Sequence, residues 1–337
     1  MKITQIAPII GAADLGFGWS KIAVEGKKPW RQPSVIGEPR EIYHEDVKKD
    51  YLQYGFISDD PRKLEFEAKY FIGELALKHS DIRYSSTGKD KAKAWHTRVL
   101  LETGLGLLAP DRNINLVTGL PIDFYNSQKS DFEELINEFN EGESYFIREG
   151  SRESVEARPH INKYKIIPQH LGGAMNHFLD DQGREKVKGE CMKPWLVIDP
   201  GRYTLGLLGL ENMEVMKESS SPALGVEVSY KLIQDELKKQ LGRTPDRFML
   251  DSYVLAGEYD GINLFELREY AFKAWATQIQ FEIDSFNRDF YGYIIVGGWA
   301  DQIATLLSLP VKRTFKYDQW ANLNGYMKMG KRLWRQG

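Results

Sequence analysis

The stretch AADLGFGWSKIAV, residues 12–24, holds an aspartate, two glycines and a lysine in the order Asp-x-Gly-x-Gly-x-x-Lys. An aspartate that leaves an apolar strand can hold a hydrated metal ion, and glycines let a backbone hairpin approach a phosphate. Lys21 would neutralise the charge of that phosphate. A β-turn between two surface strands explains the same residues, because turns commonly contain aspartate and glycine. The stretch alone leaves both interpretations open.

A second stretch of the same kind, KPWLVIDPGRYTLGLLGL, lies in the second half of the chain. Asp199 follows an apolar run as Asp14 does, and a glycine stands two residues after each aspartate. One Asp-Gly hairpin is a turn, whereas two hairpins can face each other across a cleft and surround the phosphates of a nucleotide. A metal would then lie between the carboxylates and act through waters, because Mg²⁺ keeps most of its hydration shell. The duplication therefore favours a phosphate site.

The elements that position these residues follow an α/β pattern. Apolar runs bounded by turn residues predict strands at 7–13, 20–24 and 114–118. Apolar residues at helical spacing predict helices at 92–109, 227–241 and 263–286, with Phe272, Trp275 and Ile279 in the core. A further amphipathic helix is predicted at 127–140, with Ser127 or Ser130 as its cap.

The polar segment 180–192 is interpreted as a linker between two domains. It predicts domain I at 1–180 and domain II at 181–337, with a return of the C-terminal segment to domain I as an open alternative. The basic residues near the C-terminus suggest either a filament- or DNA-facing tail or a frayed, solvated terminus. These residues are Lys328, Lys331, Arg332 and Arg335, around Trp334.

Composition narrows the class of protein. The chain has 337 residues, of which 42% are hydrophobic and 12% aromatic, enough for a sizeable core. A net charge of −3 argues against direct nucleic-acid binding through the overall field. The single cysteine, Cys191, excludes an internal disulfide and suits a reducing compartment. Because we find neither a signal peptide nor an apolar run that could span a bilayer, we expect a cytoplasmic protein without a membrane partner.

Six stretches, taken in chain order, resemble those of the bacterial actin-like ATPases of the ParM plasmid-segregation type. The first and fourth resemble the family's two phosphate loops, and the second its Gly-Leu-Pro segment. The third resembles the turn that faces the attacking water, the fifth the adenosine-binding Gly-Gly turn, and the sixth the closing segment. They are DLGFGWSK (14–21), LVTGLPIDFYNSQKSDFEELI (116–136), IIPQHLGGA (166–174), VIDPGRYTLG (197–206), YIIVGGWA (293–300) and ANLNGYMKMG (321–330).

The resemblance implies an α/β fold with two ribonuclease-H-like domains around a cleft that binds ATP and Mg²⁺. It implies that Gln169, Asp14 and Asp199 carry the chemistry, with both aspartates on the metal side. The residues that it implies for binding the nucleotide are Gly16, Phe17, Gly18, Trp19, Lys21, Gly201, Arg202, Tyr203, Thr204, Gly297, Gly298 and Trp299.

Each assignment has a plainer alternative. Gln169 can orient a water but cannot remove its proton, which predicts slow hydrolysis, whereas the alternative is a cap for the helix that begins near His170. For Lys21 the alternative is a solvated strand lysine. For Gly297 and Gly298 it is a tight strand-to-helix turn.

The chain departs from the family pattern in both loops. Where the family often has hydroxyl or amide side chains, the first loop has Phe17, Gly18 and Trp19, so backbone N–H groups must make the phosphate contacts there. At the end of the second loop the family usually has a further aspartate, and this chain has Gly206. That departure puts a second carboxylate role in doubt but leaves Asp199 and Thr204 in place.

The resemblance implies ATP-driven polymerisation into filaments that move plasmid DNA through a DNA-binding adaptor. Two other classes stay open, a small-molecule kinase of the same superfold and a nucleotide-binding scaffold that does not hydrolyse. A kinase would need a catalytic base near a sugar pocket, for which Asp123 is the candidate. A DnaK-type chaperone is disfavoured, because the chain ends about where its ATPase domain would.

Overall fold

The computed structural model describes residues 7–42, 48–57, 66–85, 91–246 and 249–335. These residues form two compact units. Unit 1 contains the described residues through Lys186 and those from Asn322 onward, and unit 2 contains those from Val187 to Ala321. Within the described ranges we find no helix long and apolar enough to cross a bilayer.

Unit 1 is built on two sheets flanked by helices. Its strands are β1 (Ile9–Leu15), β2 (Trp19–Val24), β3 (Trp30–Pro33), β4 (Ile36–Gly37), β5 (Leu52–Ile57), β6 (Phe66–Ile72), β7 (Arg83–Tyr84), β8 (Asn113–Leu120), β9 (Tyr145–Glu149), β10 (Val155–Ala157) and β11 (His160–Pro168). Its helices are α1 (Glu74–His79), α2 (Trp95–Leu108), α3 (Ile122–Glu141) and α4 (Leu171–Phe178), with a last helix given below.

The main sheet of unit 1 has the strand order β11-β8-β1-β2-β3. β1 and β2 form an antiparallel hairpin, whereas β8 and β11 run parallel to β1. β1 and β8 are mostly buried because helices cover the sheet, and Ile114, Leu116 and Leu101 are fully buried between these layers, whereas β11 is largely exposed. The carboxyl ends of β1, β8 and β11 therefore lie at one edge of the sheet. The second sheet has the order β10-β9-β5-β6-β4-β7.

Unit 2 repeats this plan with one main sheet. Its strands are β12 (Trp195–Pro200), β13 (Leu205–Glu211), β14 (Glu214–Val215), β15 (Glu258–Tyr259), β16 (Ile262–Asn263), β17 (Gly292–Val296) and β18 (Thr314–Tyr317). Its helices are α5 (Glu227–Leu241), α6 (Leu250–Ala256), α7 (Phe265–Asp284) and α8 (Ala300–Ala304), with 3-10 turns at Glu190–Met192 and Val311–Arg313.

The main sheet of unit 2 has the order β14-β13-β12-β17-β18, in which β12 and β13 form a hairpin and β17 and β18 run parallel to β12. This is the arrangement of the main sheet in unit 1. α5 and α7 pack in its core, where Phe272, Trp275 and Ile279 are buried as predicted. The duplication seen in the two Asp-x-Gly stretches thus extends to the sheets that carry them.

The predicted start of the helix at 127–140 is wrong. α3 begins at Ile122, directly after Pro121, so Ser127 and Ser130 lie inside the helix. Ser127 Oγ donates to the carbonyl of Phe124 and caps nothing. Pro121 has φ −52°, and proline suits the start of a helix because it lacks the N–H that would be left unbonded there.

The polar segment 180–192 is more ordered than a free linker. Its first part belongs to unit 1, where residues 179 and 185 form a β-bridge. The chain returns to this segment through the last helix, α9 (Ala321–Trp334). Lys331 Nζ donates to the carbonyl of Asp181, and Lys328 Nζ donates to the Asn176 side chain at 2.8 Å. The interpretation of the C-terminal basic stretch as a frayed terminus is therefore wrong for its described part, residues 328–335.

The backbones of α4 and α9 approach each other closely in unit 1. A Cβ at Gly325 would clash with the carbonyl of Gly172 and stand 2.9 Å from the N atom of Asn176. We expect Gly325→Ala to lower the free energy of unfolding by about 1–3 kcal/mol, because neither backbone can yield without moving its helix. Gly142→Ala is the matched control, since a Cβ there meets only atoms at 3.4 Å. Urea unfolding of both variants checks this, and equal midpoints would contradict it.

Candidate functional site

The first hairpin is held in shape by its own backbone. Asp14 pairs with Lys21 across β1 and β2, and the N–H of Gly16 donates to the carbonyl of Trp19 at 3.0 Å. A Cβ at Gly16 would stand only 2.8 Å from that carbonyl oxygen, so the turn requires glycine. Ser34 Oγ, on the neighbouring segment, donates to the carbonyl of Gly16 at 2.7 Å. The loop is thus fixed before any ligand arrives.

Three of the predicted site residues meet at the Asp14 carboxylate. Asp14 is only 2% exposed. Lys21 Nζ donates to its Oδ2 at 3.0 Å, and Gln169 Nε2 donates to its Oδ1 at 2.9 Å. The Lys21 side chain is 12% exposed, so the alternative of a solvated strand lysine is wrong. Gln169, far along the chain, reaches Asp14 because β11 and β1 end at the same edge of the sheet.

Backbone hydrogen bonds hold Gln169 in place, and its side-chain amide binds the Asp14 carboxylate. Its N–H donates to the carbonyl of Leu120 at 2.7 Å, and its own carbonyl accepts from Tyr326 Oη at 2.8 Å. α4 begins after His170 with no side-chain cap, so Gln169 does not cap that helix. Asn322 Oδ1 instead accepts from the N–H of Gly173 in the first turn at 2.9 Å.

The supporting roles of Tyr326 and Asn322 were not predicted. Both lie on α9, in the stretch ANLNGYMKMG, whose resemblance to the family's closing segment was the signal. The resemblance showed that the stretch matters but gave no role to either side chain.

The second hairpin has the same geometry as the first. Asp199 pairs with Gly206 across β12 and β13, and the N–H of Gly201 donates to the carbonyl of Thr204 at 3.0 Å. Each residue occupies the position of its counterpart in the first hairpin, except that Gly206 stands where the first has Lys21. The two hairpins therefore have the same backbone hydrogen-bond pattern, but only the first has a charged residue opposite its aspartate.

The Gly-Gly turn lies beside Asp199 in unit 2. Gly297 has φ +111°, a conformation that side chains rarely adopt, and a Cβ there would stand 3.2 Å from Asp199 Oδ1. Gly298 is exposed, and a Cβ there would meet nothing within 4 Å. The backbone conformation thus requires glycine at 297, whereas packing places no such requirement on 298. The Trp299 ring contacts Phe272 edge-on at 4.9 Å and so packs toward the core.

Arg202 and Tyr203 complete the second loop, and the Arg202 side chain is used within the protein. Arg202 Nη1 donates to Asp251 Oδ2 at 2.8 Å, and its Nε lies 3.5 Å from Glu227 Oε2. Burial opposes the charge, yet the carboxylate of Asp251 raises the pKa of Arg202. Tyr203 is half-buried, with the Arg202 guanidinium 5.8 Å from its ring centre. The guanidinium ties the second loop to α5 and α6.

The donor set fits a metal that arrives with a substrate. In the described ranges, no group of three or more His, Cys, Asp or Glu side chains could hold a metal ion. Both oxygens of Asp14 already accept hydrogen bonds from Lys21 and Gln169. Mg²⁺ typically keeps several waters and binds through one or two carboxylates and substrate phosphates. Asp14 in unit 1, and separately Asp199 in unit 2, each present a carboxylate of the kind that such a hydrated ion takes.

One charged residue near the first hairpin was missed by the sequence analysis. Lys91 is 7% exposed, and its Nζ lies 4.6 Å from the ring centre of Phe17. Burial lowers the pKa of Lys91 to about 7, an effect that Asp14 opposes and Lys21 reinforces. No local motif surrounds Lys91, so nothing in the sequence places it beside the loop.

The N-terminal half of the chain is similar to a known protein family. Residues 12–172 match the family model described as "Actin like proteins N terminal domain". A search of curated proteins found no match.

Solved structures that are similar over nearly the whole chain include ParM proteins and an archaeal actin homolog. A 15-stranded ParM filament from Clostridium botulinum is 20% identical, with coverage of 97% of this chain and 100% of that chain and a TM-score of 0.75. The archaeal actin homolog Ta0583 in complex with ADP is 18% identical, with coverage of 96% and 99% and a TM-score of 0.73. Bacillus thuringiensis ParM with ATP is 16% identical, with coverage of 98% and 100% and a TM-score of 0.67. At these identities the likeness establishes the fold, and the predicted two-domain actin-like fold is confirmed.

Proposed function

We propose that this chain, an actin-like protein, binds ATP with Mg²⁺, hydrolyses it slowly and assembles into filaments of its own copies. The observation that carries the proposal is the cluster in which Lys21 and Gln169 share the buried carboxylate of Asp14. A buried carboxylate shared by a lysine and an amide, beside a glycine-rich loop, suits phosphoryl transfer, which depends on positioning and charge. The similar solved structures, one a filament, one with ADP and one with ATP, support it.

In this proposal Lys21 and the backbone N–H groups of the first hairpin bind the phosphates. Lys21 now gives one hydrogen bond to Asp14, and an ammonium group has three N–H donors, so it can contact both the carboxylate and a phosphate oxygen. In unit 2 the N–H groups near Gly201 and the hydroxyl of Thr204 have the same task. Mg²⁺, when bound, supplies positive charge to the phosphates.

Gln169 is proposed to orient the attacking water. Its backbone is held from both sides, and its side-chain oxygen lies on the amide whose nitrogen binds Asp14. That oxygen can accept a hydrogen bond from water, but an amide cannot take up the proton. Hydrolysis is therefore slow, which suits a timer for filament disassembly.

The cellular role that we propose is segregation of plasmid DNA in the cytoplasm through a DNA-binding adaptor. The net charge of −3 supports an adaptor rather than direct contact with DNA. The adaptor and the cargo belong to the proposal alone. Asp123, the candidate base of the alternative kinase function, lies in the first turn of α3.

We expect ATP with Mg²⁺ to drive assembly that reverses as ATP is consumed. Light scattering should rise on addition of ATP, decay with phosphate release, and persist with a non-hydrolysable analogue. Negative-stain microscopy of the same samples should show filaments, and omission of the nucleotide or chelation of Mg²⁺ is the control. A chain that stays monomeric at high concentration with ATP and with the analogue would contradict assembly. Phosphate release only with an added acceptor would indicate a kinase, and nucleotide binding without release would indicate a scaffold.

A further inference from the structure

Lys91 is a buried cation that the proposed chemistry does not use. The residue is only 7% exposed, and its Nζ forms no hydrogen bond or ion pair with any residue that the structure describes. Its contact is with the face of the Phe17 ring, at 4.6 Å from the ring centre. A cation–π contact compensates only part of the cost of removing an ammonium group from water. Burial of a charged ammonium group costs free energy unless an anion binds beside it.

The position of Lys91 indicates which anion that is. Phe17 lies between the two glycines of the first hairpin, so the ammonium group contacts a side chain of that loop. It also lies within electrostatic reach of Asp14 and Lys21. We infer that Lys91 is a second phosphate-binding cation of unit 1, which contacts the terminal phosphates of the nucleotide beside the hairpin 14–21. This inference rests on the proposed nucleotide binding.

The charges around Lys91 set how its protonation responds to a ligand. Burial lowers the pKa of Lys91, Asp14 on β1 raises it and Lys21 on β2 lowers it, and together they bring it to about 7. His96 on α2 is the other titratable neighbour, and its own pKa is lowered by burial and by Lys91. A polyphosphate favours the ammonium form. Binding of ATP above neutral pH is therefore expected to draw a proton onto Lys91.

The main test replaces Lys91 with methionine, which keeps the length and removes the charge. We expect the affinity for ATP to fall by ~10- to 100-fold, the order of one charge-assisted contact, and the affinity for adenosine to stay unchanged. Lys91→Arg should restore part of the ATP affinity. Lys93→Met is the matched control, because Lys93 is 65% exposed and pairs with Asp131. Titration calorimetry of the whole chain with ATP, ADP and adenosine measures all four proteins.

A second readout separates a phosphate contact from a structural role. At about pH 8, where the metal-bound ATP is already ionised, the unmodified chain should take up a fraction of a proton on binding, seen as a dependence of the binding heat on the buffer. Lys91→Met should lose that dependence and Lys93→Met should keep it. Equal loss of affinity for ATP and adenosine, or no loss at all, would overturn the role of Lys91 and leave the proposed function intact. Failure of the unmodified chain to bind ATP would overturn both.

Discussion

Replacing Gln169 with alanine is expected to slow phosphate release by ~10- to 1000-fold and to leave ATP affinity nearly unchanged. The substitution removes the group proposed to orient water, but it removes neither Lys21 nor Asp14. Filaments should form and last longer, because hydrolysis rather than binding would set their lifetime. ATP affinity, phosphate release and filament decay on the same protein measure the three effects.

The control for this variant is Gln182→Ala, since Gln182 is an exposed amide in a turn of the same unit. It should behave as the unmodified chain does in all three measurements. Because Gln169 Nε2 also binds Asp14 Oδ1, the alanine variant frees one carboxylate oxygen. Unchanged turnover would remove Gln169 from the mechanism, and loss of ATP binding would make it a ligand instead.

Asp14→Ala is expected to abolish Mg²⁺-dependent hydrolysis and to weaken the fold at the same time. The substitution leaves the ammonium group of Lys21 without its carboxylate in a largely buried position. Removal of one partner of a buried pair typically lowers the free energy of unfolding by ~3–5 kcal/mol. Urea unfolding and phosphate release, measured with and without Mg²⁺, give the two effects.

Asp301→Ala is the matched control for stability. Asp301 and Lys316 also form an ion pair, at 2.7 Å, but their side chains are 79% and 44% exposed. An exposed pair contributes ~0–1 kcal/mol, so this variant should unfold close to the unmodified chain. The double variant Asp14→Ala with Lys21→Met should recover stability without recovering hydrolysis. Near-normal turnover of a folded Asp14→Ala protein would contradict the metal-side assignment.

The sequence predicted best where a local signal and the tertiary structure agree. The predicted helix 227–241 matches α5 at both ends, and Gly242, in the left-handed conformation, ends it. The start of α3 was placed too late because Ser127 and Ser130 looked like caps, whereas Pro121 directly before Ile122 was the effective signal. The local sequence could not rank these competing start signals, because the choice depends on where the preceding strand β8 ends.

The candidate site likewise contains residues that a local motif predicted and residues that only tertiary packing brings together. Asp14 and Lys21 belong to one hairpin, so their spacing was enough to bring them together. Gln169 joins them through strands that end at one sheet edge, which the family resemblance implied but periodicity could not. Lys91 and Tyr326 reach the site from remote parts of the chain by tertiary packing. Single residues of that kind leave no pattern in a sequence.

The discontinuity of unit 1 has a consequence for synthesis. Helix α9 holds the carbonyl of Gln169 through Tyr326 and the first turn of α4 through Asn322, yet it is encoded after all of unit 2. On the ribosome the chain emerges from its N-terminus, and domains begin to fold as they appear. The turn that carries Gln169 therefore waits for its support until residues beyond 326 have left the exit tunnel.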